Sequence, residues 1–192
     1  RPGWVVNLGI GIPTLVAKYA DGSAIHLQSE NGLLGVGPPP PPGRVDPNLI
    51  DATKRPVTAL PGASYFDSAA SFAMIRGGHV DAAVLGALQV DAQGLVANWA
   101  VPGEPVLGVG GAMDLLEGVR TVIVVMSHTT KDGAPKLVPA LSLPLSSTRP
   151  ATFVVTELAT FRVDRGLVLE ELAPGATVDV VRAKTAAAFR QA

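Results

Sequence analysis

The sequence predicts a single-domain α/β sandwich with a largely parallel or mixed open sheet. Three observations carry this expectation. Short apolar runs alternate with helical stretches along the chain, the pattern of strand–helix units. One run, Thr121-Val122-Ile123-Val124-Val125-Met126, is continuous, as in a strand covered on both faces. At 192 residues, 47% hydrophobic and only 16% charged, the chain can bury a sizeable core. Residues 1–192 are read as one domain whose start lies upstream, because the chain opens on Arg1 rather than Met.

Each element has its own signal. Trp4-Val5-Val6-Asn7-Leu8 reads as a first strand, and Gly9-Ile10-Gly11-Ile12-Pro13 as a tight turn. Pro13 or Thr14 then opens a helix through Ala20. Ala24-Ile25-His26-Leu27-Gln28 reads as a buried strand ending at an Asn-Gly turn. Residues 35–48 form a loop, since Pro38-Pro39-Pro40-Pro41-Pro42 supplies no backbone donors and favours a polyproline excursion. Val57-Thr58-Ala59-Leu60 is a short strand ended by Pro61-Gly62, and residues 67–76 form a helix closed by Gly77-Gly78. Further strands fall at residues 82–87, 121–126, 153–158 and 167–172. Helices follow at 113–117 and, at the C-terminus, 178–189.

Composition excludes several function classes. The net charge is −1 and no long basic run occurs, which argues against nucleic acid or an anionic membrane as a partner. There is no cysteine, so no disulfide, thiolate metal site or cysteine nucleophile is available. His26, His79 and His128 lack ligand-like spacing, and no metal is expected. No apolar run reaches membrane-spanning length. Residues 4–20 are too broken by Asn7, Gly9, Gly11 and Pro13 for a signal peptide, so a cytoplasmic location is expected. An apolar composition of this degree also suits a chain with a large interface.

Four constellations could carry chemistry. Glu30, in Ser29-Glu30-Asn31-Gly32, stands where a strand ends, the place at which open α/β sheets put their reactive groups. It is a candidate nucleophile or base, or a turn-edge carboxylate in water. A carboxylate of this kind can attack a thioester and retain the acyl activation as a covalent adduct. Gly108-Val109-Gly110-Gly111 leads into a helix, and its backbone N–H groups could approach an oxyanion or a pantetheine or phosphate group. A close strand-to-helix crossing explains the same glycines. Asn98-Trp99 could line a pocket or belong to the core. Lys131 and Arg76 could meet an anion, but each also fits a solvated turn or helix end.

Taken together, these stretches resemble the β subunit of the 3-oxoacid coenzyme A transferases. The blocks are Val6-Asn7-Leu8-Gly9-Ile10-Gly11-Ile12-Pro13-Thr14, Gln28-Ser29-Glu30-Asn31-Gly32-Leu33-Leu34-Gly35 and Leu60-Pro61-Gly62-Ala63-Ser64. They continue with Ser71-Phe72-Ala73-Met74-Ile75-Arg76-Gly77-Gly78-His79, Ala97-Asn98-Trp99 and Gly110-Gly111-Ala112-Met113-Asp114-Leu115. The likeness runs in constant order from about residue 5 to residue 184. It implies the CoA-transferase fold and ping-pong transfer of coenzyme A between carboxylic acids, from succinyl-CoA to a short 3-oxo acid such as acetoacetate. The 3-oxoadipate transferases share the same blocks, and a binding module or a hydrolase could use the same fold. The resemblance makes Glu30 the residue that carries the CoA thioester. It makes Gly108, Gly110, Gly111, Asn31 and Gly32 the oxyanion or CoA contacts. It implies an α subunit, in an αβ or α2β2 assembly, and the CoA thioester as substrate with no permanently bound cofactor. Pro38–Pro42 and the segment Ser146-Ser147-Thr148-Arg149-Pro150-Ala151-Thr152-Phe153 depart from the family pattern.

Overall fold

The computed structural model describes residues 1–19, 24–106 and 108–192. Trp4–Leu8 forms β1, and a 3-10 helix, Ile12–Lys18, follows it. Next come β2 (Ile25–Ser29), β3 (Leu33–Val36), β4 (Ala59–Tyr65) and helix α1 (Ser68–Arg76). The middle of the chain holds β5 (Ala82–Leu85), β6 (Gln89–Asp91), β7 (Val96–Ala97), helix α2 (Ala112–Gly118), β8 (Thr121–Val125) and β9 (Leu137–Val138). The last part is β10 (Phe153–Val155), β11 (Ala159–Val163), β12 (Leu167–Leu172), helix α3 (Val178–Lys184) and β13 (Phe189–Gln191).

Ten strands make one sheet in the order β13-β12-β11-β10-β8-β5-β1-β2-β3-β4. Its middle five strands, β10-β8-β5-β1-β2, are parallel, and antiparallel hairpins extend it at both ends. The expected mixed open sheet is present. A second sheet of three short strands, β7-β6-β9, was not foreseen, because strands of two or three residues carry too little alternation to read.

Helices α1 and α2 cover one face of the large sheet. Ile75, Leu115, Leu116 and Val119 pack there on Val122, Val124, Leu85 and Val154. Each fully buried side chain of this size stabilises the fold by about 1.5–3 kcal/mol. Asp67 caps α1 by accepting from the Ala70 N–H at 2.7 Å. The two helices cross closely because Gly118 has no side chain: a β-carbon there would lie 2.4 Å from the Ile75 carbonyl oxygen. The other face is thinner. Val6, Ala82 and Val84 are buried, but Trp4, Leu8, Ile25, Leu27, Ile123 and Val125 are only half-covered around them. This corrects the expectation for β8, whose burial alternates along the strand.

Several element boundaries differ from the sequence reading, and the strand expected over 82–87 ends at Leu85. The helix after Pro13 is 3-10 and ends at Lys18; its expected end at Ala20 lies outside the described residues. The strand expected to stop before Pro61-Gly62 runs through both, because β4 is an edge strand and needs no N–H from Pro61 on its open side. The strand at residues 153–158 ends at Val155. There the Thr156 hydroxyl accepts from the Leu158 and Ala159 N–H groups and turns the chain into β11. The terminal helix stops at Lys184. The Ala186 and Ala187 N–H groups both donate to the Leu137 carbonyl, and Phe189 pairs with Leu167 in β13. Tertiary pairing overrides the helix propensity of the alanines.

Candidate active site

The sheet order places a topological switch between β1 and β5. From β1 the chain crosses to β2 on one side, through the 3-10 helix that packs Val16 on one sheet face. It returns to β5 on the other side through α1, whose Ile75 packs on the opposite face. Chains leaving adjacent strands in opposite directions open a crevice at the carboxyl edge. Gly9 closes the floor by donating its N–H to the Val84 carbonyl at 2.8 Å, and a β-carbon on it would lie 3.1 Å from that oxygen.

Glu30 stands at this edge, one residue past β2, half-buried. Its Oε2 accepts from Asn7 Nδ2 at 3.1 Å. Strand register explains the contact. Asn7 and Gln28 are paired residues of β1 and β2, and Glu30 lies two residues beyond Gln28, on the same face. Asn7 Nδ2 also donates to Gln28 Oε1 at 2.6 Å and lies 3.3 Å from the Gln28 carbonyl. Gln28 Nε2 in turn donates to Ser71 Oγ on α1 at 2.9 Å. Asn7 and Ser71 are fully buried. Asn7 Oδ1 is buried with no partner among the described residues. An orphaned acceptor of this kind costs about 1–3 kcal/mol.

The turn after Glu30 is built from Gly32. Its φ is +123°, and a β-carbon would stand 2.0 Å from the Phe66 carbonyl oxygen, so no other residue fits. Its N–H donates to the Ser29 carbonyl at 3.0 Å, closing the turn. Asn31 Nδ2 donates to the Ile50 carbonyl at 2.8 Å, and Ser29 Oγ accepts from the Ala52 N–H at 2.9 Å. The residues flanking Glu30 therefore moor the segment 50–52. The side chain of Asn31 and the N–H of Gly32 are engaged within the protein.

The glycine loop reaches Glu30 from the other side. Gly111 is buried, and a β-carbon on it would lie 3.4 Å from Glu30 Cγ and 3.1 Å from the Phe72 ring. Gly110 and Gly108 are exposed, with φ of +54° and +101° and open space where a side chain would stand. Among the described residues, the N–H groups of Gly110 and Gly111 have no protein acceptor. A side chain at Gly111 would thus touch Glu30, whereas one at Gly110 or Gly108 would meet open space. Phe72 is held in turn by Arg76, which lies 5.7 Å over its ring and bonds Asp114 at 2.6 Å.

The remaining candidates lie elsewhere. Trp99 is half-buried and donates its indole N–H to the Leu145 carbonyl at 3.2 Å. Lys131 is exposed in a turn. Ser147, in the divergent segment 146–153, donates to Glu117 Oε1, and Arg149 donates to the carbonyls of Leu116, Glu117, Val119 and Arg120. That segment secures the end of α2. The Ser147 bond holds the Glu117 carboxyl below its ordinary range. Pro38 accepts from the Thr58 N–H and hydroxyl, which moors the proline loop. A cleft of about 550 Å³ lies on the half-covered face of β2, lined by Leu8, Ile25, Leu27, Ser29, Val57 and Leu60. Strand alternation puts it across the sheet from Glu30. Sequence reading passed over Asn7, Gln28, Ser71 and Phe72. The available signal was a polar residue within each of two neighbouring apolar strands.

A model of the Coenzyme A transferase family matches residues 1–184. The chain is 52% identical over 194 residues to the beta subunit of the acetate CoA-transferase of Escherichia coli strain K12, covering 100% of this chain and 88% of that protein. It is 50% identical over 191 residues to a subunit of the probable succinyl-CoA:3-ketoacid coenzyme A transferase of Bacillus subtilis strain 168, covering 98% and 88%. Its fold is similar to that of an acyl-CoA transferase apoenzyme from Escherichia coli O157:H7, with a TM-score of 0.79 and 21% identity. All of this chain is matched there, and it spans 39% of that chain.

Proposed function

Because the chain belongs to the coenzyme A transferase family, we propose that it is one subunit of an enzyme moving CoA from succinyl-CoA, or a similar acyl-CoA, to a short 3-oxo acid such as acetoacetate. The observation that carries the proposal is the placing of Gly111 where any side chain would touch Glu30, at a carboxyl-edge crevice, with a buried amide on Glu30 Oε2.

The chemistry follows from that geometry. A Glu30 oxygen attacks the thioester carbonyl, the C–S bond breaks, and CoA leaves as thiolate from a mixed anhydride. The thiolate attacks the Glu30 carbonyl carbon, the donor acid leaves as carboxylate, and CoA remains on Glu30 as a thioester. The acceptor carboxylate repeats the two steps in reverse. Oxyanions form in each step, and the N–H groups of Gly110 and Gly111, which have no protein acceptor among the described residues, are proposed to receive one of them. The remote parts of CoA supply binding energy for the acyl step.

The relatives are named as subunits, and this chain is proposed to need an α subunit to complete its site. An apolar strip at the same edge supports this reading. Ile10, Ile12, Leu15 and Tyr19 are 71%, 50%, 48% and 88% exposed, beginning one residue beyond Gly9. The proposed unit is one domain over residues 1–192, and the proposed compartment is the cytoplasm. No helix among the described residues is long and apolar enough to cross a membrane. Acetate is a second acceptor to test, because the relative at 52% identity bears that name.

The test is a product assay on the chain assembled with its α partner. Succinyl-CoA with acetoacetate is expected to give acetoacetyl-CoA and succinate in equal amounts, and Glu30→Ala to abolish both. Free CoA released without any acceptor acid would point to a hydrolase instead. A faster reaction with acetate would reassign the acceptor.

A further inference from the structure

Asn7 is a fully buried amide in the otherwise apolar strand Trp4–Leu8. An aliphatic residue there would complete the strand and remove the unpaired Oδ1, but it would take the donor from the buried Gln28 Oε1. Asn7 instead leaves its Oδ1 buried and unpaired among the described residues. Its Nδ2 end faces only acceptors: Gln28 Oε1 at 2.6 Å, Glu30 Oε2 at 3.1 Å and the Gln28 carbonyl at 3.3 Å. The orientation of the amide is fixed by that surrounding, since turning it over would set an oxygen against three oxygens. Gln28 Nε2 donates to Ser71 Oγ at 2.9 Å, so a line of buried hydrogen bonds runs from α1 through Gln28 to Asn7. The donor aimed at Glu30 is therefore pre-set by the fold, and the cost is an unpaired carbonyl.

Resting on the glutamyl-thioester reading above, we propose that Asn7 is a catalytic residue: it binds Oε2 as the non-attacking oxygen of Glu30 and is the donor for the oxyanion that forms on that same atom. Among the described residues, no other side chain donates to Glu30. With Oε2 held, Oε1 is the oxygen that attacks the acyl-CoA. When the CoA thiolate then attacks the Glu30 carbonyl carbon, a C–S bond forms and the C=O electron pair moves onto Oε2. The Asn7 N–H is already in place to receive that charge. When the adduct collapses, the pair returns, the bond to the departing carboxylate breaks, and the thioester remains. Discharge by the acceptor acid passes through an oxyanion at the same atom. One donor thus serves both halves of the reaction on the enzyme's own carbonyl, while the glycine loop remains for the substrate's carbonyl.

The experiment uses the assembled α and β subunits and follows the Glu30 adduct by quenched-flow mass spectrometry, first forming it from succinyl-CoA and then discharging it with acetoacetate. Asn7→Leu keeps most of the buried volume and removes the donor. It is expected to slow both formation and discharge by about 10²–10³-fold, as for loss of one oxyanion donor. The KM for succinyl-CoA and the melting temperature of the assembly are expected to stay near wild type, a split that general loosening of the fold does not give. Formation and discharge at wild-type rates in folded Asn7→Leu would overturn the proposal. If Asn7→Leu does not fold, Asn7→Asp decides: a folded variant slow in both steps supports the proposal, and a folded fast one overturns it. Absence of any adduct in the wild-type assembly would remove the underlying glutamyl reading, and this proposal with it. A wild-type adduct with unaffected variants would remove the role of Asn7 alone.

Discussion

Gly111 lies against Glu30 with no side chain between them, and a β-carbon on Gly111 would sit 3.4 Å from Glu30 Cγ and 3.1 Å from the Phe72 ring. Its φ is −89°, which any residue can adopt. The constraint on this position is therefore space and not backbone conformation. Gly111→Ala is expected to crowd the Phe72 ring, fill the space beside Glu30 and reduce transfer at least ~10-fold, since small misplacements of a reacting group are costly. Stability is expected to change by less than about 1 kcal/mol. Paired kinetic and denaturant-unfolding measurements check this, and a fully active Gly111→Ala would contradict it.

Gly32 is required by space and by backbone conformation together. Its φ of +123° and the 2.0 Å approach of the Phe66 oxygen exclude any β-carbon. Gly32→Ala is expected to lose about 2–4 kcal/mol, from strain and a broken turn together. Activity is expected to fall with the folded fraction, as seen by following both across a thermal melt.

Arg149 holds the last turn of α2 by donating to the carbonyls of Leu116, Glu117, Val119 and Arg120. A lysine carries the charge but not the fork of donors. Arg149→Lys is expected to lose about 1–3 kcal/mol by urea unfolding. Glu30 is not in that network, so the rate per folded molecule is expected to hold.

His128 makes the fold sensitive to acid. It is fully buried, with Nδ1 2.9 Å from the Thr156 hydroxyl and Nε2 2.8 Å from the Thr185 hydroxyl. Thr185 donates its own proton to the Val181 carbonyl, so it accepts from Nε2–H, and the Thr156 hydroxyl proton lies between Nδ1 and the Ala159 carbonyl. Burial holds the ring's pKa below its ordinary value, against the opposing pull of Glu157. The unfolded chain protonates His128 near pH ~6.5. The stabilisation is therefore complete above that pH and is lost as pH falls from there towards the depressed folded value. Melting temperatures between pH 8 and pH 5 are expected to fall more steeply in wild type than in His128→Gln (roughly the span around the free imidazole value). Parallel curves would contradict this.

Much of the fold was legible because its central strands are short apolar blocks separated by clear turn signals. Trp4–Leu8 and Leu167–Leu172 stand where the pattern puts them. Strand β13 was not legible, since an alanine-rich stretch favours helix until the pairing of Phe189 with Leu167 is known. Glu30 could be singled out from a strand end and an Asn-Gly turn, both local signals. The bonds from Asn7 to Gln28 and from Gln28 to Ser71 span 21 and 43 residues, and no local pattern reports them. Arg149 was equally hidden. Its segment read as a departure from the family pattern, and only the packed structure shows that it secures the end of α2.

The proposed carriage of CoA on Glu30 is tested most directly by peptide mass mapping of the assembled enzyme after exposure to succinyl-CoA with no acceptor acid. A CoA thioester is expected on the Glu30 peptide, absent from Glu30→Ala and discharged by acetoacetate. A folded assembly that turns over substrates while Glu30 stays unmodified would contradict it.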